Sequence, residues 1–139
     1  MPTINPITRL PLLRPVPILR GLSKAHLFEV ARKAAEVTYP PGTTVVRQGE
    51  PGDSLCIVTK GNLDVYQNDT VVAHLTAGDY FGEISLIDGG PRSATVVAAD
   101  EVVLLMLSSA DFDSMLEIPY VARTVMMNLA QLLRKAEDV

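Results

Sequence analysis

The chain has 139 residues, 47% of them hydrophobic and 20% charged. That is a globular composition and the length of one ordinary domain, able to bury about two-thirds of its unfolded surface. The single cysteine, Cys56, excludes an internal disulfide framework and any cysteine-rich zinc or iron–sulfur site.

The net charge of −4 is unevenly spread. Residues 1–47 carry seven basic and two acidic side chains, for +5. Residues 48–117 carry two and twelve, for −10, and residues 118–139 carry three and two, for +1. The acidic middle is expected to repel nucleic acid. The apolar run at residues 102–107 falls far short of the roughly 20 residues of a membrane helix. Prolines stand where a secretory signal needs an apolar run. A cytoplasmic setting without a membrane span is therefore expected.

Residues 1–17 hold five of the ten prolines, Pro2, Pro6, Pro11, Pro15 and Pro17. They predict an extended arm or linker over residues 1–16, without helix. Ser23 then reads as an N-cap, with Leu22 and Leu27 as a hydrophobic staple. Leu27, Val30, Ala31 and Ala34 continue a helical stripe that ends before Tyr39-Pro40-Pro41-Gly42.

Between residues 42 and 90, where eight of the nine glycines lie, the texture changes. Short β-branched runs at 43–46, 54–59, 62–67, 70–75, 94–99 and 102–107 alternate with turn dipeptides such as Gly52-Asp53, Gly61-Asn62 and Asn68-Asp69. This predicts a mainly β chain with flanking helices. Its centre is an antiparallel jelly roll or barrel over about residues 38–107, preceded by an N-terminal helix and followed by helices over about 109–138. Ser108 is the expected cap of the first of these and Pro119 the first turn of the second. In that last helix Val121, Val125, Leu129, Leu132 and Leu133 form a stripe expected to dock on the barrel. Met126-Met127 reads as core, Cys56 as an inert buried thiol, and His26 and His74 as structural or surface residues rather than metal ligands.

One segment breaks the strand rhythm. Residues 81–96 read Phe81-Gly82-Glu83-Ile84-Ser85-Leu86-Ile87-Asp88-Gly89-Gly90-Pro91-Arg92-Ser93-Ala94-Thr95-Val96. A helical turn opening at Gly82 presents free backbone N–H groups that favour an anion. Glu83 is a strong acceptor suited to sugar hydroxyls. Arg92, behind the rigid Pro91, suits a phosphate bidentately, and Ser93 adds a hydroxyl. Arg92 is also the only arginine in the acidic middle. On charge alone it is either an anion ligand or the partner of a carboxylate such as Asp88. Hydrolytic chemistry is not indicated: the chain has no P-loop, no paired carboxylates and no metal-ligand cluster.

This stretch resembles the phosphate-binding cassette of the cyclic nucleotide-binding domain family. The pattern is Phe-Gly-Glu, a hydrophobic residue, Ala or Ser, Leu, a short loop, Pro-Arg, a small residue and Ala, and every position is filled. Residues 47–54 (Arg47-Gln48-Gly49-Glu50-Pro51-Gly52-Asp53-Ser54) and Lys60-Gly61 also look like the family, and the resemblance covers about residues 17–139. It implies a ligand site of Gly82, Glu83, Ile84, Ser85, Arg92 and Ser93. Glu83 would accept from the ribose 2′-hydroxyl, and Gly82 and Ser85 would give backbone amides. Arg92 would pair with the phosphate and Ser93 would touch phosphate and base. Threonine at position 93 would imply cGMP, so serine implies cAMP over cGMP, with no metal.

The expected function is thus a non-catalytic regulatory sensor for an effector domain or protein outside this chain, with a homodimer left open. Ligand binding would reposition the C-terminal helix, with Leu129, Leu132 and Leu133 as moving contacts. No specific DNA binding is expected, beyond weak salt-sensitive attraction by Arg9, Arg14 and Arg20. Two alternatives differ in class. One is a degenerate domain of the same family acting only as a protein interaction module. The other is a cupin-like enzyme, for which two scattered histidines supply no metal site.

Overall fold

The computed structural model describes residues 5–137. Its first element corrects the expectation of an extended arm. Residues 6–13 form helix α1 (Pro6–Leu13), followed by a 3-10 turn at Pro17–Leu19. The proline count misled because position matters more than number. Pro6 opens the helix, where its missing N–H costs nothing, and Asn5 Oδ1 accepts from Ile7 N at 3.0 Å. Pro11 does lie inside the helix, on its exposed side, and tertiary contacts of its neighbours hold the helix. Leu13, Val16 and Ile18 are fully buried. Arg9 is 7% exposed, and its guanidinium donates from Nη1 to Ala31 O at 2.7 Å and Ala34 O at 2.6 Å. Those carbonyls end helix α2 (Lys24–Lys33), so Arg9 caps one helix from another. It is therefore unavailable to nucleic acid.

Ser23 caps α2 as expected, accepting from His26 N at 3.1 Å. The chain then turns directly into strand β1 (Ala35–Tyr39), which the helical stripe concealed. Seven more strands follow: β2 (Thr44–Val46), β3 (Ser54–Lys60), β4 (Leu63–Gln67), β5 (Thr70–Leu75), β6 (Tyr80–Phe81), β7 (Thr95–Ala98) and β8 (Val102–Ser108). Helix α3 (Glu83–Asp88) interrupts them between β6 and β7. Helices α4 (Ser109–Leu116) and α5 (Pro119–Glu137) close the described chain. Ser108 caps α4, accepting from Asp111 N at 3.2 Å.

The strands form two four-stranded antiparallel sheets, ordered β1-β8-β3-β6 and β2-β7-β4-β5. The arrangement is jelly-roll-like, without a closed barrel. Alternation along the central strands explains why they read as unbroken apolar runs. Leu55 and Ile57 of β3, with Leu105 and Leu107 of β8, face a core shared with the helices. Cys56 and Val58, with Val102 and Leu104, face a second core shared with the other sheet. A sheet covered on both faces needs apolar residues at every position.

Helix α5 joins the first core through Val121 and Val125, with Leu129 partly buried. Its later turns correct two expectations. Met126 is 62% exposed, Met127 57% and Leu133 63%, so the methionines are not core and the stripe docks only along its first half. The helix outruns its support. Among the described residues no helix is long and apolar enough to cross a membrane.

Candidate functional site

The site lies where β6, α3 and the loop before β7 meet the opposite sheet. β6 pairs with β3 through Cys56↔Phe81 and Ile57↔Tyr80, and α3 starts at once after it. Gly82 makes that turn with φ +98°, a left-handed conformation that side chains resist. The first-turn amides of α3 have no acceptor within their own helix.

The loop at residues 47–53 fixes the other half. Gly49 N donates to Arg92 O at 2.9 Å, Arg92 N donates to Glu50 O at 2.8 Å, and Pro51 bridges Pro91. This clamps the Arg92 backbone. The side chain then runs inward and is 7% exposed. Its Nη1 donates to Ser54 O at 3.2 Å and its Nη2 to Ser54 Oγ at 3.3 Å. Two glycines leave it room. A Cβ on Gly52 would stand 2.5 Å from Arg92 Nε, and one on Gly82 would stand 2.5 Å from Arg92 Nη1. Gly52 and Ser54 belong to the stretch at 47–54, which resembles the family but to which the sequence assigns no place in the site. Only the fold brings it beside Arg92, across 38 residues.

Asp88 is not the partner of Arg92. Asp88 Oδ1 accepts from Gly90 N at 2.8 Å instead. No carboxylate forms an ion pair with Arg92 among the described residues. A buried guanidinium thus faces the site with only two neutral acceptors. Burial pushes the half-buried Glu83 carboxyl above its ordinary value, while the field of Arg92 pulls the other way.

These groups line a cavity of about 440 Å³, within the usual range for a small-molecule site. All six expected site residues, Gly82, Glu83, Ile84, Ser85, Arg92 and Ser93, are on its wall. Val65, Ala73 and Val96 supply an apolar side, and Leu132 and Lys135 of α5 reach its mouth. Sequence reasoning had no signal for Lys135. Cys56 is fully buried behind Arg92, and burial pushes its thiol up to about 11, an inert group as expected. His74 Nδ1 lies 2.6 Å from Asp64 Oδ1 on the exposed surface. Among the described residues no cluster of His, Cys, Asp and Glu is arranged to hold a metal.

A cavity of this size with one uncompensated cation and one carboxylate is suited to an anion carrying hydroxyls. Known proteins place it further. The family model described as the cyclic nucleotide-binding domain matches residues 36–118. A cyclic nucleotide-gated potassium channel of Rhizobium etli is 40% identical over 82% of this chain and 32% of its own length. A cAMP-dependent protein kinase regulatory subunit of Colletotrichum orbiculare is 34% identical over 75% of this chain and 27% of its own. The chain therefore spans about a third or less of these relatives. A solved structure of the regulatory domain of Toxoplasma gondii PKA with cAMP superposes with a TM-score of 0.81, at 27% identity over 91% of this chain and 50% of that one. The chain belongs to the cyclic nucleotide-binding domain family.

Proposed function

We propose that this chain binds a cyclic nucleotide, cAMP in preference to cGMP, in the 440 Å³ cavity and acts as a regulatory sensor. The observation that carries the proposal is the buried Arg92 without a carboxylate partner. A buried cation in this state is costly unless an anion completes it, and the cyclic phosphate is that anion. Ser93 and the amides of Gly82 and Ser85 complete the phosphate and ribose contacts, with Ile84 between them. Glu83 accepts from the ribose 2′-hydroxyl. The cAMP named in the Toxoplasma structure supports this choice of ligand. The sensor works by differential affinity: ligand shifts α5 between positions, and an effector outside this chain responds.

Calorimetry with cAMP, cGMP and 2′-deoxy-cAMP tests the proposal. We expect cAMP to bind most tightly, and the deoxy analogue to bind more weakly because the carboxylate of Glu83 loses its donor. No binding of either cyclic nucleotide would overturn the function. Equal binding of cAMP and its deoxy analogue would overturn the role of Glu83.

The same role sets a pH dependence. Burial raises the Glu83 carboxyl in the free chain, and a ribose hydroxyl donating to the ionised form lowers it in the complex. The complex then holds fewer protons than the free chain, so affinity rises with pH. The gain is complete above the raised value of the free chain. It is lost as pH falls towards the ordinary carboxylate range near about 4.3. Titrations in buffers of different ionisation enthalpy should show proton release in this window, and Glu83→Gln should abolish it.

A further inference from the structure

We propose that Tyr80 and Asn128 form a latch that ties helix α5 to the cavity wall and thereby sets the affinity of the site. Asn128 Nδ2 donates to Tyr80 Oη at 2.6 Å in a partly buried position. Tyr80 stands two residues before Gly82, on a strand of only two residues. It also separates two spaces. One face lines the 440 Å³ cavity, and it also lines a second cavity of about 260 Å³ with Pro17, His74, Gly78 and Asp79. Asn128 borders only the second. A movement of α5 is thus delivered to the residue that opens the Phe81-Gly82-Glu83 turn.

The position of Asn128 along α5 gives the bond its leverage. The helix is anchored at its start by Val121 and Val125 in the core, and by Tyr120 Oη donating to Pro17 O at 3.0 Å. Past Val125, the Asn128 bond is the last hydrogen bond from an α5 side chain to the body among the described residues. Beyond it, Leu132 and Lys135 reach the cavity mouth, Leu132 still half-exposed, while Leu133 faces away from it and is 63% exposed. With the bond made, those two residues complete the wall. With it broken, the last turns are held only by Leu129 and their own contacts at the mouth. Burial pushes the Tyr80 phenol up, and its Oη can accept from Asn128 Nδ2 in either protonation state, so the bond does not depend on that titration.

The effect on affinity rests on the proposed nucleotide function, whereas the latch itself does not. Two measurements separate them. Hydrogen exchange on the ligand-free chain should show faster exchange over residues 129–135 in Tyr80→Phe and in Asn128→Ala. Each variant should also weaken cAMP binding about three- to tenfold, the scale of one partly buried hydrogen bond. The double variant should be no worse than either single one, because both remove the same bond. Tyr80→Phe keeps the ring and so the packing. Unchanged exchange in both variants overturns the latch whether or not cAMP binds. Faster exchange with unchanged cAMP affinity, or additive losses in the double variant, overturns its control of the site. If the wild-type chain binds no cyclic nucleotide, the functional reading fails, and the exchange comparison still decides the latch.

Discussion

Replacing Arg92 with alanine should reduce cAMP affinity at least about 30-fold, the consequence of truncating one side of a buried charged pair worth about 2–5 kcal/mol. No other arginine lies between residues 48 and 122, and the other cation on the cavity wall, Lys135, sits at its mouth on α5. The free chain should respond in the opposite sense. Arg92 is 7% exposed and, among the described residues, is held by only Ser54 O and Ser54 Oγ, with no carboxylate partner. An uncompensated buried charge carries a desolvation cost, so its removal should leave the melting temperature unchanged or raise it. Arg92→Met fills the space without charge and should show the same pattern more clearly. Arg92→Lys should recover little, because an ammonium cannot present two parallel donors to a phosphate. Calorimetry and thermal melts on the same preparations provide the check. A folded Arg92→Ala chain that binds within a few-fold of the wild type would mean the phosphate site is elsewhere. A large loss of stability with binding preserved would make Arg92 a structural residue.

The parts of this site that could be read in advance are those that are contiguous. Gly82, Glu83, Ile84, Ser85, Arg92 and Ser93 fall within 12 consecutive positions, and the turn, helix and loop that hold them are local structures. The cavity gathers all six for that reason. Contacts that require the two sheets to close were not legible. Ser54 and Gly52 shape the berth of Arg92 only after β3 is packed beside α3. Strand β1 exists because Ala35 to Tyr39 pairs with β8; Val37, Thr38 and Tyr39 suit a strand, but Ala34 carries on the stripe of α2 and hides where the strand begins. Strand β6 has two residues, too few for any periodicity. The error at α1 has the same origin. Prolines lowered the local propensity, while Leu13, Val16 and the Arg9 bonds to Ala31 O and Ala34 O act over long range. At α5 the apolar stripe was visible, but how much of it has a surface to dock on is a property of the assembled body.

The second large effect is expected at Gly82, and a companion glycine isolates its cause. Gly82 and Gly89 both have positive φ, +98° and +71°. A Cβ on Gly89 would meet nothing within 4 Å, so Gly89→Ala tests conformational strain alone. That strain should cost about 1–2 kcal/mol of stability and leave binding nearly unchanged. A Cβ on Gly82 would stand 2.5 Å from Arg92 Nη1 and 2.6 Å from Ser54 O. The first neighbour is the end of a flexible side chain and can retreat. The second is backbone of the first residue of β3, paired with Ser108 of β8, and cannot do so cheaply. The strained turn must therefore shift as a unit. That shift moves Arg92 off Ser54 and turns the α3 amides away from the cavity. Gly82→Ala should consequently lose more stability than Gly89→Ala and also lose cAMP affinity by more than tenfold, about 1.4 kcal/mol or greater. Melting curves and calorimetry on the two variants provide the comparison. If both lose the same stability and both bind like the wild type, close packing around Gly82 has no part in positioning Arg92, and the arginine finds its place by the backbone clamp from Gly49 and Glu50 alone.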